Sequence, residues 1–357
     1  MIVATPVPNG THGGSGFLAG ILPPHILWAI VENGDAEQRA WALQALALSE
    51  RIRGRRELLG DITTAVAAVA AGKQRTVYDA RHGSQLPGAK ARGEGDPPGK
   101  DIAVNEAYDG AGATYDLYHD VFDRDSIDDR GMPLVATVHY QHGYDNAFWD
   151  GAQMVYGDGD GKIFRRFTKA VDVIGHELTH GVTQYEANLD YAAQPGALNE
   201  SLSDVFGSLV KQRTLGQTAE RADWLIGAGL FTPAIRGQAL RSMAAPGTAY
   251  DDPLIGKDPQ PADMAHYVET ADDNGGVHIN SGIPNRAFYL AAVSIGGFAW
   301  EKAGRVWYVT LRDRLRPASD FKAAATATVA AAKELFGARG GVATAVADAW
   351  AEVGVTL

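Results

Sequence analysis

The sequence predicts an α+β fold built from two unlike halves, a β-rich one followed by an α-helical one. Three observations carry this. From Arg75 the chain shows short apolar runs separated by Gly, Pro and Asp. After about residue 165, apolar residues recur every three to four positions. A turn holding two histidines, "GHELTH" (175–180), falls close to the junction.

The elements follow in order. Residues 1–16 are rich in Gly, Pro, Thr and Asn and read as a flexible arm. Residues 25–57 are mostly helix formers, with Asn33-Gly34 as a turn and Asp35 as an N-cap, so two short helices fit. The alanine-rich run at 61–73 reads as a third helix or a linker. Residues 74–165 read as β-rich, with strand signals such as "PLVATVHYQ" (133–141) and a Gly/Asp turn at "YGDGDGK" (156–162). One helix interrupts them near 103–122. Helical spacing then runs through "FTKAVDVIGHELTHGVTQYE", "GALNESLSDVFGSLVKQ", "SGIPNRAFYLAAVSI", "AGRVWYVTLRDRL", "DFKAAATATVAAAKELF" and "VATAVADAWAEV".

Composition narrows the chemistry. A chain of 357 residues, 45% hydrophobic, can bury a large core and is long enough for two or more domains. It has no cysteine, so any metal must be held by His, Asp or Glu. A net charge of -11 argues against general binding to nucleic acid or an anionic membrane. No stretch approaches the roughly 18 to 20 apolar residues of a membrane span. The first residues lack a basic stretch followed by an apolar one, so no secretory signal is expected. The protein either stays where it is made, in the cytoplasm, or leaves for the extracellular space by a non-classical route.

His176 and His180 are spaced i, i+4, which on a helix puts their Cβ atoms about 5 to 6 Å apart on one face. They can chelate one ion from the same side. Glu177 is rotated by about 100° and can reach a water on that ion without ligating it. The pattern suits catalytic zinc, which also needs a third ligand from another element and an open position. Glu200 and Asp204 repeat the i, i+4 spacing among Leu198, Leu202, Val205 and Leu209. Glu200 could complete the ligand set, and Asp204 could accept the spare ring N–H of a ligating histidine. Solvated carboxylates are the bland alternative, but unpaired carboxylates in apolar surroundings are costly. "DDNGGVHINSGIPN" (272–285) adds His278 after Asp273, a pair that raises an imidazole's pKa and could hold it ready for an oxyanion.

These stretches, with "NAFW" (146–149), "QMVYGDGDGKIF" (153–164) and "LRSM" (240–243), run in one order from about residue 75 to the C-terminus. In them the chain resembles the thermolysin family of zinc neutral metalloproteases, and its short-precursor, protealysin-like branch. The resemblance implies a two-domain catalytic body, residues 74–170 and 171–357, with one zinc at the junction. His176, His180 and Glu200 would bind it, and Glu177 would activate water. His278, held by Asp273, and Tyr191 would stabilise the oxyanion. Asp204 would orient His176, and Asn199 would support the other side of the site. Asn146, Ala147 and Arg241 would pair with the substrate backbone along the edge strand that holds Trp149. Phe164, Phe167, Val173 and Leu240 would form the pocket for a large apolar residue just after the scissile bond. Residues 1–73 would be a short inhibitory prosegment with Pro23, Pro24 and the residues after them in the cleft, removed by cleavage near "SERIRGRREL" or "AAGKQR".

The implied protein is an endopeptidase, expected to be a monomer, whose partners are peptide or protein substrates and its own prosegment. The chain departs from the family at the double calcium site. Asp172 and Asp223 match it, but Lys211, Leu225 and Ala228 fill the other positions, short of the six to eight oxygens calcium needs. That calcium pair is therefore not expected, and the Lys211 ammonium should bridge Asp172 and Asp223 instead. A non-catalytic zinc protein would be favoured by loss of Glu177 or His278, and both are present. An aminopeptidase would need an acidic anchor for a free amine. The remaining histidines, 12, 25, 82, 119, 139, 142 and 266, are expected to be ordinary surface or core residues.

Overall fold

A computed structural model describes residues 20–60 and 72–357. The expected arm at 1–16 and most of the alanine-rich run at 61–73 lie outside the described residues. The chain opens with helices α1 (Pro24–Asn33) and α2 (Ala36–Gly60). Pro24 suits the first helical turn, where its missing N–H would find no partner. Asp35 caps α2, its Oδ1 accepting from the N–H groups of Glu37 and Gln38 at 2.9 Å each. The second helix is longer than the sequence suggests and carries the basic "SERIRGRREL" stretch within it.

The β-rich half is one mixed sheet of β1 (Arg75–Asp79), β2 (Ala89–Gly93), β3 (Leu134–Val138), β4 (Ala147–Trp149) and β5 (Met154–Tyr156), in the order β2-β1-β3-β5-β4. β1, β3 and β5 are mutually parallel, while β2 and β4 run antiparallel at the edges. The single helix in this half, α3 (Ile102–Phe122), starts at an Asp101 cap and ends at Asp123 with φ 56°. It packs on β1 and β3 and also touches the two helices that carry the site.

Those two are α4 (Val171–Tyr185) and α5 (Ala193–Leu215), the most extensively packed pair in the fold. Their approach depends on glycine. A Cβ on Gly207 would stand 2.4 Å from the Asp172 carbonyl oxygen, and one on Gly175 would stand 3.0 Å from the Gly207 Cα. With no side chain there, the backbones close up and their polar residues meet.

Two-residue strands β6 (Leu225–Ile226), β7 (Arg241–Ser242), β8 (Asp251–Asp252) and β9 (Gly256–Lys257) fill the stretch after α5. Then come α6 (Asp273–Asn280), α7 (Gly282–Ile295), α8 (Ala303–Val309), α9 (Phe321–Phe336) and α10 (Gly341–Glu352). Trp307 and Trp350 stack in their core, ring centroids 6.4 Å apart. No helix among the described residues is long and apolar enough to cross a membrane.

Candidate active site

His176, His180 and Glu200 are buried together, with candidate ligand atoms all within 4.8 Å of one another. The two Nε2 atoms are 2.9 Å apart, and each lies 3.5 to 3.6 Å from a Glu200 oxygen. The outer ring nitrogens are already engaged. His176 Nδ1 donates to Asp204 Oδ1 at 2.8 Å, and His180 Nδ1 to Asn199 Oδ1 at 2.8 Å, with Ser203 Oγ at 2.9 Å. This fixes the tautomer that turns both Nε2 lone pairs inward. Glu200 Oε2, also buried, accepts no hydrogen bond. Two lone pairs and a carboxylate oxygen thus face one point, an arrangement that repels itself unless a cation sits there. Two imidazoles and a carboxylate with no sulfur are the donor set of a catalytic zinc.

The carboxylate of Glu177, on the same helix, accepts the backbone N–H of Trp149 on edge strand β4 at 3.0 Å. On the other side stand Tyr191 and His278. The Tyr191 hydroxyl donates to Glu200 Oε1 and lies 3.3 Å from His278 Nε2. The Asp273 carboxylate takes both the backbone N–H of His278, at 2.8 Å, and its ring Nδ1–H, at 2.7 Å. The backbone there has positive φ at four successive residues, Asp273 (51°), Asn274 (52°), Gly275 (83°) and Gly276 (75°). This left-handed run turns Asp273 back onto the imidazole it holds.

Two family models divide the chain between them. The thermolysin metallopeptidase catalytic domain matches residues 63–184, and the thermolysin metallopeptidase alpha-helical domain matches 187–355. The chain belongs to the thermolysin metallopeptidase family. It is a hydrolase of peptide bonds, and the metal of this family is zinc. An extracellular metalloprotease of Pectobacterium carotovorum subsp. carotovorum is 53% identical over 341 residues, covering 95% of this chain and 97% of that one. Protease PrtS of Photorhabdus sp. (strain Az29) is 47% identical over 347 residues, 95% of this chain and 92% of its own. Among solved structures, the precursor of protealysin, a metalloproteinase from Serratia proteamaculans, superposes with a TM-score of 0.86 at 53% identity. That match covers 94% of this chain and 99% of its own.

Charge in this thermolysin-family site is arranged in layers. Burial pushes the Asp204 carboxyl upward, but the Arg241 guanidinium and the bond from His176 outweigh it and hold Asp204 below the usual carboxylate range. Arg241 grips Asp204 with two bonds of 2.8 Å each. For His278, burial favours the neutral ring, yet Asp273 and then Glu200 outweigh it and raise the pKa to about 9. A dication on Glu200 would cancel that carboxylate's share and bring the value lower. Tyr191 is pushed well above its ordinary value, by burial first and by Glu200 second, so it stays a donor.

A piece of the chain's own N-terminal segment lies along this cleft. Ile21 N–H donates to the Ala147 carbonyl at 3.2 Å, and Leu22 N–H to Asn146 Oδ1 at 3.0 Å. Arg241 reaches the Ile21 carbonyl at 3.1 Å. Ile21 and Leu22, ahead of the two prolines, therefore make these contacts. Pro23 caps α1 and Pro24 begins it, because a residue without an N–H cannot donate to an edge strand but can start a helix. After the prolines, His25 Nε2 contacts the Tyr250 hydroxyl at 2.8 Å. Phe164, Phe167, Val173 and Leu240 are all buried, with the first two rings 5.7 Å apart.

Lys211 Nζ stands between Asp172 Oδ2, at 3.0 Å, and Asp223 Oδ1, at 2.7 Å, and also donates to the Leu225 carbonyl. Three members of the site escaped the sequence reading. Asn285 Nδ2 donates to Asp204 Oδ2 at 2.8 Å, Ser203 approaches His180, and Gln260 Nε2 donates to the His278 carbonyl at 2.8 Å. Ser203 was within reach of a helical argument, being one turn after Asn199. Asn285 closes the quoted "GIPN" run. Gln260 left no local signal.

Proposed function

We propose that this chain is a zinc endopeptidase made as a self-inhibited precursor, cutting on the amino side of large apolar residues and acting outside the cell. The observation that carries the reading is the set of hydrogen bonds that Ile21 and Leu22 make with Asn146, Ala147 and Arg241, where a peptide substrate would add to the sheet edge. The solved relative described as a precursor, and a relative named an extracellular metalloprotease, support the precursor state and the compartment. The prosegment is residues 1–73, and the catalytic body is 74–170 with 171–357.

His176, His180 and Glu200 hold the ion, and when bound zinc supplies hydroxide near neutral pH and polarises the scissile carbonyl. Glu177, oriented by the Trp149 N–H, takes the proton of the attacking water and passes it to the departing amine. His278 carries the positive ring that meets the carbonyl oxygen as it becomes an anion. Tyr191 adds a second donor once its hydroxyl turns from Glu200 to substrate. Arg241, locked onto Asp204, holds a substrate carbonyl as it holds that of Ile21. Phe164, Phe167, Val173 and Leu240 take the apolar side chain after the cut. Lys211 stands where calcium would otherwise bridge Asp172 and Asp223.

The test is a time course of purified full-length chain beside Glu177→Ala, with zinc quantified in each. Mass spectrometry follows the N-terminus and casein hydrolysis follows activity. The expected result is that the wild type sheds its prosegment and gains activity, while the variant keeps zinc and stays whole. A zinc-loaded wild type that stays whole and inactive removes self-processing. Absence of zinc from both removes the ligand assignment.

A further inference from the structure

Among the described residues, two clusters of His and carboxylate converge closely enough to share a metal ion. One is the site above, and the other is His82, His139 and Asp158. The sheet brings the second one together. β1, β3 and β5 are parallel neighbours, so their C-terminal ends lie at the same edge. His82 follows β1, His139 follows β3 directly, and Asp158 follows β5. Backbone bonds fix the three loops on one another: His82 N–H to the His139 carbonyl at 2.8 Å, Gln141 N–H to the Gly83 carbonyl at 3.2 Å, and Tyr140 N–H to the Tyr156 carbonyl at 3.1 Å.

We propose that His82, His139 and Asp158 form a second metal site, for a borderline transition-metal dication such as Ni²⁺ or Zn²⁺. Asp158 lies 2.8 Å from His139 Nδ1 and 3.6 Å from His82 Nδ1, so the two imidazoles face the same carboxylate. His139 Nε2 donates to Asp101 at 2.8 Å, the outer carboxylate contact that orients a ligating imidazole. The His142 ring stacks on that of His82, centroids 4.4 Å apart, and holds its plane. Arg81, His82, His139 and Gln141 all have positive φ, between 51° and 58°, which is strain in residues other than glycine. The nitrogen-rich set favours a transition metal over calcium. His82 is 40% exposed on its side chain, so water completes the coordination.

The ion takes the place of the proton that His139 Nδ1 now shares with Asp158. Asp158 accepts that proton and Asp101 accepts the one on Nε2, with the His82 ring, on which His142 stacks, 5.5 Å from His139 and Arg166 near both carboxylates, so binding strengthens as pH rises. The site braces three strand-end loops beneath the prosegment. Gln44 donates to Gln141, and a Cβ on Gly143 would meet the Trp41 ring at 2.5 Å.

The test uses untagged full-length chain in a Glu177→Ala background, zinc-loaded and dialysed, titrated with Ni²⁺ by calorimetry. One further equivalent of Ni²⁺ is expected, with a rise in Tm. His82→Asn and Asp158→Asn should each weaken that equivalent by about tenfold or more, with unchanged zinc content and circular dichroism. His119→Asn, at an exposed histidine paired with Asp120, should leave it unchanged. No further equivalent, or one that His82→Asn does not move, overturns the proposal. Because zinc at His176, His180 and Glu200 is counted separately, failure here is distinct from failure of the active-site reading.

Discussion

The two ends of the α4/α5 pair handle buried charge in opposite ways. Toward Glu200, both imidazole lone pairs and a carboxylate oxygen point inward, and the charge that faces them on the chain is a titratable one, the His278 ring 3.6 Å from Glu200 Oε2. Toward Asp172, two carboxylates face each other with the Lys211 ammonium between them. One end depends on an ion from solution, so its stability varies with the concentration of that ion. The other carries its cation on the chain, as the Lys211 ammonium. The helix pair is therefore held by an exchangeable charge where chemistry is needed and by a permanent one where only structure is.

The sharpest way to break this contrast is to empty the exchangeable end. Chelation, or Glu200→Gln, should drop activity to background and lower the Tm. The same chelation should leave the Lys211 end intact, which hydrogen exchange in the loop at Leu225 would report. Next in size is His278→Gln, expected to cut kcat by about 10²- to 10³-fold. Wild-type kcat/KM should fall as pH rises through the His278 pKa, at or below about 9, because only the protonated ring stabilises an anion. The variant should lose that alkaline limb. An unchanged limb assigns it to another group.

Lys211→Met addresses the permanent end. It leaves buried Asp172 without its cation and should cost roughly 3 to 5 kcal/mol in denaturant unfolding, with activity per folded molecule retained. The pair Lys211→Met with Asp172→Asn should recover much of that. The sign with pH is fixed. Burial lowers the Lys211 pKa, but Asp172 and Asp223 outweigh it and raise it. Its contribution is thus complete below its ordinary value near 10.5 and lost as pH climbs through the higher folded value. Lys211→Glu should make the Tm calcium-dependent where the parent's is not. Equal calcium response in both would sink the idea that lysine stands in for the ion.

The smallest expected effect is at His25. Burial first of all lowers its pKa to about 4 in the docked segment. A released His25 titrates near 6.5, so docking is strongest above that pH and weakens as pH falls toward about 4. Prosegment release followed by mass spectrometry should quicken across that window, and His25→Phe should flatten the response.

Much of this was legible in the sequence because it is local. The spacing of His176 and His180, and of Glu200 and Asp204, needs only the geometry of one helix, and Asp35 announces α2 on the standard capping rule. The outer contacts were hidden by distance. Asn285 meets Asp204 across 81 positions, and Gln260 holds a carbonyl with no local sign of doing so. Strands β6 to β9 have two residues each and so no periodicity to detect. His82 and His139 read as ordinary histidines, since only the parallel register of β1 and β3 sets them side by side. The prolines were placed in the cleft by resemblance, whereas the contacts on Asn146, Ala147 and Arg241 come from the residues just before them.

Residues 20–22 are held on the cleft by one backbone bond to the sheet edge, one hydrogen bond each with Asn146 and Arg241, and the buried side chains of Ile21 and Leu22. As a separate peptide such a segment would bind to an extent set by its own concentration. As part of the chain it competes for the cleft at an effective concentration in the millimolar range. Once any peptide bond beyond α2 is cut, the same segment is an ordinary ligand subject to dilution. A nicked preparation should then be quiescent when concentrated and active when diluted. The switch would be thrown by volume as much as by the cut itself.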